Sequence, residues 1–303
     1  MKISNPIYNV NIGSRDPFIV EHKGFLYSCY DNCENVVIKK FKFLTDIAKA
    51  EEKETLPPKF NNLVHWFAPE MHLIDGHWYI YSAPCDENEY NSIKSIDPFY
   101  EPLHSMHVLR SATDDPFSDW EYMGVLGGLH GKWSIDGTII HYNNKLYMAL
   151  DFEGIHICEM DGPLKLKGIP QLLSSPDYDW EKVMTPINEG PAPLYKDGKL
   201  HLAFSASDSH SDGYCLGLLS FKGGDILNKN NWFKHPTPLL QSSDNFFGPG
   251  HCSFLKLNGK DFIVYHANTE KSSGRGGSYM FAQPFEWEDG IPVIGEIASE
   301  FEL

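Results

Sequence analysis

Three carboxylates in this sequence stand in settings that hold a side chain in place. Asp16 precedes a proline in Ser14-Arg-Asp16-Pro17-Phe18, and a proline biases the residue before it toward an extended backbone. Asp136 opens a strand-like run, and Gly137 behind it lets another backbone approach closely. Glu189 lies in Asn188-Glu189-Gly190-Pro191-Ala-Pro193, an unusual setting because Glu is depleted in strands. Alone, each reads equally as a turn residue. Brought into one pocket, the three would not titrate alike, since burial and like charge raise at least one pKa. A pair of unlike carboxyls can do acid–base work, for example on a glycosidic bond.

Two further segments place rings beside polar groups: His65-Trp66-Phe67-Ala-Pro-Glu70 and Phe246-Phe247-Gly248-Pro-Gly250-His251. Such rings either stack on the apolar faces of a sugar or pack as ordinary core. Arg275, in Gly274-Arg-Gly-Gly277, either points into the same pocket or solubilises its rim.

The elements that must position these residues are strands. One pattern recurs five times, a tight turn followed by an alternating apolar run. It reads His22-Lys-Gly-Phe-Leu-Tyr, Asp75-Gly-His-Trp-Tyr, Asn143-Asn-Lys-Leu-Tyr, Asp197-Gly-Lys-Leu-His and Asn258-Gly-Lys-Asp-Phe. Turns of this composition suit two-residue hairpins, and the period of 2 suits strands. The copies lie roughly 50–70 residues apart, the size of a four-stranded propeller blade. The expected fold is therefore all-β, a five-bladed β-propeller filling residues 1–303 as a single catalytic domain. The three acids and the two aromatic segments each precede one copy, so they converge on the central funnel. Leu44 to Glu54 is the best helix candidate. The polar inserts Cys85 to Leu103, with Pro98 and Pro102, and Ser207 to Gly213 read as binding or mobile loops.

Composition narrows the function. The chain has 303 residues with a formal charge of −16, which argues against a nucleic-acid partner, since that needs clustered Lys and Arg. No run nears the ~18 apolar residues of a membrane span. The start, MKISNPIYNV, has no apolar leader core. Six cysteines without a CxxC pair read as free thiols. Together these suggest a cytoplasmic protein, or a secreted one whose leader has been removed. His104-Ser-Met-His107 lacks the acid of a zinc-protease motif, and no GxSxG or phosphate-binding glycine loop occurs.

The series Asp16-Pro, Trp66-Phe-Ala-Pro-Glu70, Ser134-Ile-Asp136-Gly-Thr, Asn188-Glu189-Gly-Pro and Gly248-Pro-Gly-His251 resembles glycoside hydrolase family 43. The run Tyr214-Cys-Leu-Gly-Leu-Leu is similar to its α-L-arabinofuranosidase branch. The resemblance implies an inverting, exo-acting enzyme with Asp16 as general base, Glu189 as general acid and Asp136 tuning and orienting the acid. It implies that Trp66 lines the sugar pocket, where Phe18, Glu70, Phe247 and Arg275 are further candidate contacts. It implies that His251 faces a water-coordinated central ion, a structural calcium, with no cofactor needed for the chemistry. The substrate it suggests is an arabino-oligosaccharide from plant cell walls. A β-xylosidase or another pentosidase, and a non-catalytic sugar-binding propeller, are the alternatives.

Overall fold

The computed structural model describes residues 2–10, 13–97, 100–272 and 274–303. All five recurring turns close two-residue hairpins. Lys23-Gly24, Asp75-Gly76, Asn143-Asn144, Asp197-Gly198 and Asn258-Gly259 take φ of 49–57° at one or both positions and 77–81° at the glycines. Left-handed geometry at both positions matches the twist of the strands it joins. The flanking residues pair directly, as His22 with Phe25 and Lys196 with Lys199.

Each hairpin begins a four-stranded antiparallel blade whose spatial order follows the chain. The innermost strands are Phe18–His22, Leu63–Ile74, Ile135–Tyr142, Asn188–Lys196 and Phe247–Leu257. They touch one another in sequence, and the fifth touches the first, so five blades close a β-propeller around one axis. Five apolar clusters fill the spaces between neighbouring blades. Tyr81 and Met106 meet Ile139 and Met148 between the second and third blades, and Ala149 and Ile157 meet Leu202 and Phe204 between the next pair.

The chain ends close the ring. Lys2–Ser4 pairs antiparallel with Glu300–Glu302. The Asn5 side chain donates to the carbonyls of Ala282 (2.7 Å) and Ala298 (2.8 Å) and accepts from the Ala282 amide (3.0 Å). Ser253 of the fifth blade donates to the Pro17 carbonyl at 2.8 Å beside the first.

Two sequence expectations change. Leu44–Lys49 is a short 3₁₀ helix, and Glu51–Glu54 is the fourth strand of the first blade. Its four charged residues suit an exposed edge that must not recruit another strand. Within the insert 85–103, Glu87–Ile96 is an α-helix. The Asp86 carboxylate caps it, accepting from the amides of Asn88 (2.9 Å) and Glu89 (3.0 Å). Pro98 of that insert lies outside the described residues.

Every innermost strand carries left-handed backbone near the axis. Asp16 stands just before the first strand at φ 48°, not in the extended conformation expected from Pro17. His65 and Ala68 (51° and 42°), Asp136 (56°), Gly190 (55°) and His251 (44°) lie where the other four strands break register. Such β-bulges re-aim side chains. Replacing Asn5 by Ala is expected to lower unfolding stability by about 1–3 kcal/mol, because buried partners lose their hydrogen bonds. Chemical denaturation would check it, and an unchanged midpoint would remove Asn5 from the closure.

Candidate active site

The bulges of the third and fourth blades and the turn before the first strand bring acids from three blades to one cavity of about 510 Å³ on the axis. Asp16, Asp136 and Glu189 all line it. So do Asp31 and Asp151, which the sequence reading did not single out. Each of the two ends the second strand of its blade, Phe25–Asp31 and Lys145–Asp151. A carboxylate at the same end of equivalent strands is the signal that could have found them. Tyr30, Phe67, Trp133 and Ile187 supply apolar wall.

One histidine joins two of the acids. The buried His251 places Nδ1 3.4 Å from Asp16 Oδ1 and 3.9 Å from Asp136 Oδ2. Its amide donates to Ser205 Oγ at 2.7 Å. Burial alone would lower the imidazole pKa, but Asp16, Asp136, Glu70 and Glu189 together raise it above its ordinary value. The acids around the ring thus favour its charged form by more than burial disfavours it.

Glu189 is held from another side. The buried Tyr214 hydroxyl donates to Glu189 Oε1 at 2.6 Å. Its ring fits only because residue 250 is glycine, as a β-carbon there would stand 1.9 Å from the ring. Tyr214 stacks on His266 with centroids 5.6 Å apart. His266 Nδ1 in turn accepts the Asp16 amide at 3.3 Å. The same nitrogen stands 3.5 Å from Asp16 Oδ1. One hydrogen-bonded and stacked path thus runs from Asp16 to Glu189.

The carboxyls are electrostatically unlike. Burial raises Asp136 to about 7, helped by Glu189 and Asp16 and opposed by His251 and by the Gly190 amide, which donates to Oδ2 at 2.9 Å. Burial, with Asp136 and Glu189, lifts Asp151 well above the carboxylate range. Burial also raises Asp31 to about 6 against the hydrogen bonds it accepts. Proton donors and acceptors therefore coexist in one cavity near neutral pH.

The expected sugar contacts are mostly elsewhere. Trp66 is 1% exposed and packs between the first two blades, not on the cavity. Trp66 turns into the interblade core, while its neighbours His65 and Phe67 line the cavity. Phe18 packs against His72 (5.4 Å), and Phe247, at the start of its strand, does not line the cavity. Glu70 is buried beside His72 Nε2 at 2.9 Å, off the cavity wall but close enough for its charge to raise His251. Gly274–Gly277 is a 3₁₀ turn, and the Arg275 side chain lies outside the described residues. The insert reaches the site after all. Tyr90 of its helix packs on His65 at 4.2 Å, and Glu101 lines the cavity.

Comparison with known proteins gives a family. A sequence model described as Glycosyl hydrolases family 43 matches residues 3–292. A Streptomyces chartreusis protein named extracellular exo-α-(1→5)-L-arabinofuranosidase is 30% identical over 84% of this chain and 80% of its own length. A Streptomyces avermitilis protein of the same name is 30% identical over 84% of this chain, which spans only 55% of that relative. The crystal structure of an α-L-arabinofuranosidase from Lactobacillus brevis superposes with a TM-score of 0.85 at 30% identity, covering 97% of this chain and 96% of that one. The cytoplasmic expectation gives way here, because both Streptomyces proteins are named extracellular. The free thiols, which agreed with that expectation, are compatible with any compartment, because five of the six are buried.

Asp136 carries a stability consequence. Its folded pKa is raised above the unfolded value, so the native state gives up this proton less readily. The resulting penalty is absent below about pH 4 and full above about pH 7. Asp136→Asn keeps an acceptor for Gly190 and removes the buried charge. Its melting temperature is expected to exceed the wild type's by a few degrees at pH 8, with the gain vanishing toward pH 4. A variant no more stable at pH 8 would contradict this reading of the buried carboxyl.

Proposed function

This chain belongs to glycosyl hydrolase family 43 and is a glycoside hydrolase acting on O-glycosyl bonds, and we propose that it is an inverting, exo-acting α-L-arabinofuranosidase. Its substrate would be an arabino-oligosaccharide of plant cell-wall origin, and all five blades would form one catalytic domain. The observation that carries the specificity is the likeness, at 30% identity, to the two Streptomyces proteins named for that activity.

In the proposed reaction, Glu189 donates a proton to the glycosidic oxygen as the carbon–oxygen bond breaks. Asp16 takes a proton from the water that attacks the anomeric carbon from the opposite face. Tyr214 donates to Glu189 Oε1, which fixes the orientation of the carboxyl group that carries the transferred proton. Asp136 acts as a positioning residue. It holds the Gly190 amide next to Glu189 and, with Asp16, brackets His251. Glu101 and the His65–Tyr90 pair wall the cavity on the side of the insert, which supports end-on binding of a chain terminus.

A structural calcium ion on the axis belongs to the same proposal. Calcium takes oxygen donors, so His251 would reach it only through water, and Glu70, whose charge acts on His251, offers a carboxylate. Removal with EDTA is expected to lower the melting temperature, and added calcium to restore it. A melting temperature indifferent to both would remove the ion from this account.

The test of specificity is hydrolysis of para-nitrophenyl α-L-arabinofuranoside and β-D-xylopyranoside side by side, with an α-1,5-linked arabino-oligosaccharide as the unactivated substrate. The arabinoside is expected to be the better aryl substrate. Glu189→Gln is expected to lose about 10²–10⁴-fold on the oligosaccharide and less on the aryl glycoside, whose leaving group needs little protonation. Full oligosaccharide activity in that variant would end the acid role, and preference for the xyloside would make the enzyme a xylosidase.

A further inference from the structure

The cavity wall between the first two blades carries three metal-binding side-chain types that take no part in the proposed proton transfers. Asp31 ends the strand Phe25–Asp31, Cys33 follows in a left-handed turn (φ 75°), and His65 comes from the bulge of the second blade. Their ligand atoms all lie within 4.8 Å of one another, the one such group of His, Cys, Asp or Glu found among the described residues. All three residues line the same cavity as Asp16, Asp136 and Glu189. Two backbone hydrogen bonds fix the cluster. The Cys33 amide donates to Asp31 Oδ1 at 2.7 Å, and the His65 amide donates to the Cys33 carbonyl at 2.9 Å. Tyr90, packed on the His65 ring at 4.2 Å, limits its rotation.

We propose that Asp31, Cys33 and His65 form a site for a divalent transition metal of the zinc class, and that its occupancy blocks the cavity and inhibits hydrolysis. The donor set decides the class. One thiol, one imidazole and one carboxylate suit zinc or cobalt and not calcium or magnesium, which take oxygen. Zinc bonds of ~2.0–2.3 Å in a tetrahedron put ligand atoms roughly 3.3–3.8 Å apart. The cluster therefore has to close by roughly 1.5 Å at most, and Cys33 is exposed. Three protein ligands leave a fourth position open toward the cavity. Binding releases the Cys33 thiol proton to solvent. A metal at this wall stands in the volume that a bound sugar would need.

The binding half is independent of the proposed enzyme activity, whereas the inhibition half rests on it. The probe is cobalt, which absorbs by thiolate-to-metal charge transfer when bound to Cys. Titration of the whole protein is expected to show that band saturating at one equivalent, and zinc is expected to abolish it. Cys33→Ser should lose the band, and both it and His65→Gln, each checked for wild-type melting, should bind zinc at least tenfold more weakly. Zinc should inhibit turnover of the aryl arabinoside, and Cys33→Ser should need at least tenfold more zinc for the same inhibition. No charge-transfer band in the wild type, or unchanged zinc affinity in Cys33→Ser, would overturn the site. Stoichiometric binding without inhibition would overturn the blocking role. The band in a protein that hydrolyses no arabinoside would support the site and overturn the arabinofuranosidase reading instead.

Discussion

A buried imidazole between two carboxylates is the interaction on which the rest of the site depends. Asp16 and Asp136 come from different blades, and both lie within 4 Å of His251 Nδ1, on a third. Charges at that distance interact by about 4 kcal/mol even with an effective dielectric of 20. Without a cation among them, the acids of this cavity would repel one another. With it, the cluster holds together, and burial still leaves its members with different proton affinities. Glu189 enters the same arrangement from the fourth blade, through the Gly190 amide on Asp136 and the Tyr214 hydroxyl on its own carboxylate.

Holding these groups on the axis strains the backbone. Non-glycine residues at positive φ are sparsely populated and cost of order 1–3 kcal/mol each. Asp16, His65, Ala68, Asp136 and His251 all take that conformation. The strain is tolerated because it sits at the ends of strands whose outer lengths are locked into five interblade cores. The paired termini and Asn5 keep the ring from opening at its seam. A rigid periphery thus permits an irregular centre, and the irregular centre aims the side chains.

Much of this was legible in the sequence, and the legible part was periodic. Asp-Gly, Asn-Gly and Asn-Asn turns followed by alternating runs gave the blades, because turn chemistry and strand period are local properties. Asp136-Gly137 and Glu189-Gly190 were legible because a glycine beside an acid marks a backbone bent for a purpose. The aromatic contacts were not. Trp66 and Phe67 are adjacent, so a period of 2 says that they face opposite ways but not which one meets the cavity. Tyr214 and Gly250 are far apart in sequence, and their fit exists only after two blades pack. The helix Glu87–Ile96 carries only a thin apolar stripe of Tyr90, Ile93 and Ile96, and none of its residues is buried, so its Asp86 cap was the clearer signal.

Family membership and the propeller are common ground with relatives of known activity, whereas the roles of individual carboxylates are this account's own. They are tested most directly by the configuration of the first sugar released. Proton NMR during early turnover of an α-L-arabinofuranoside, before the free sugar mutarotates, reads the anomer formed. If Asp16 activates water opposite to Glu189, the β-anomer must appear first. First appearance of the α-anomer would mean a covalent intermediate or two successive displacements, and the assignment of Asp16 as base and Glu189 as acid would be wrong.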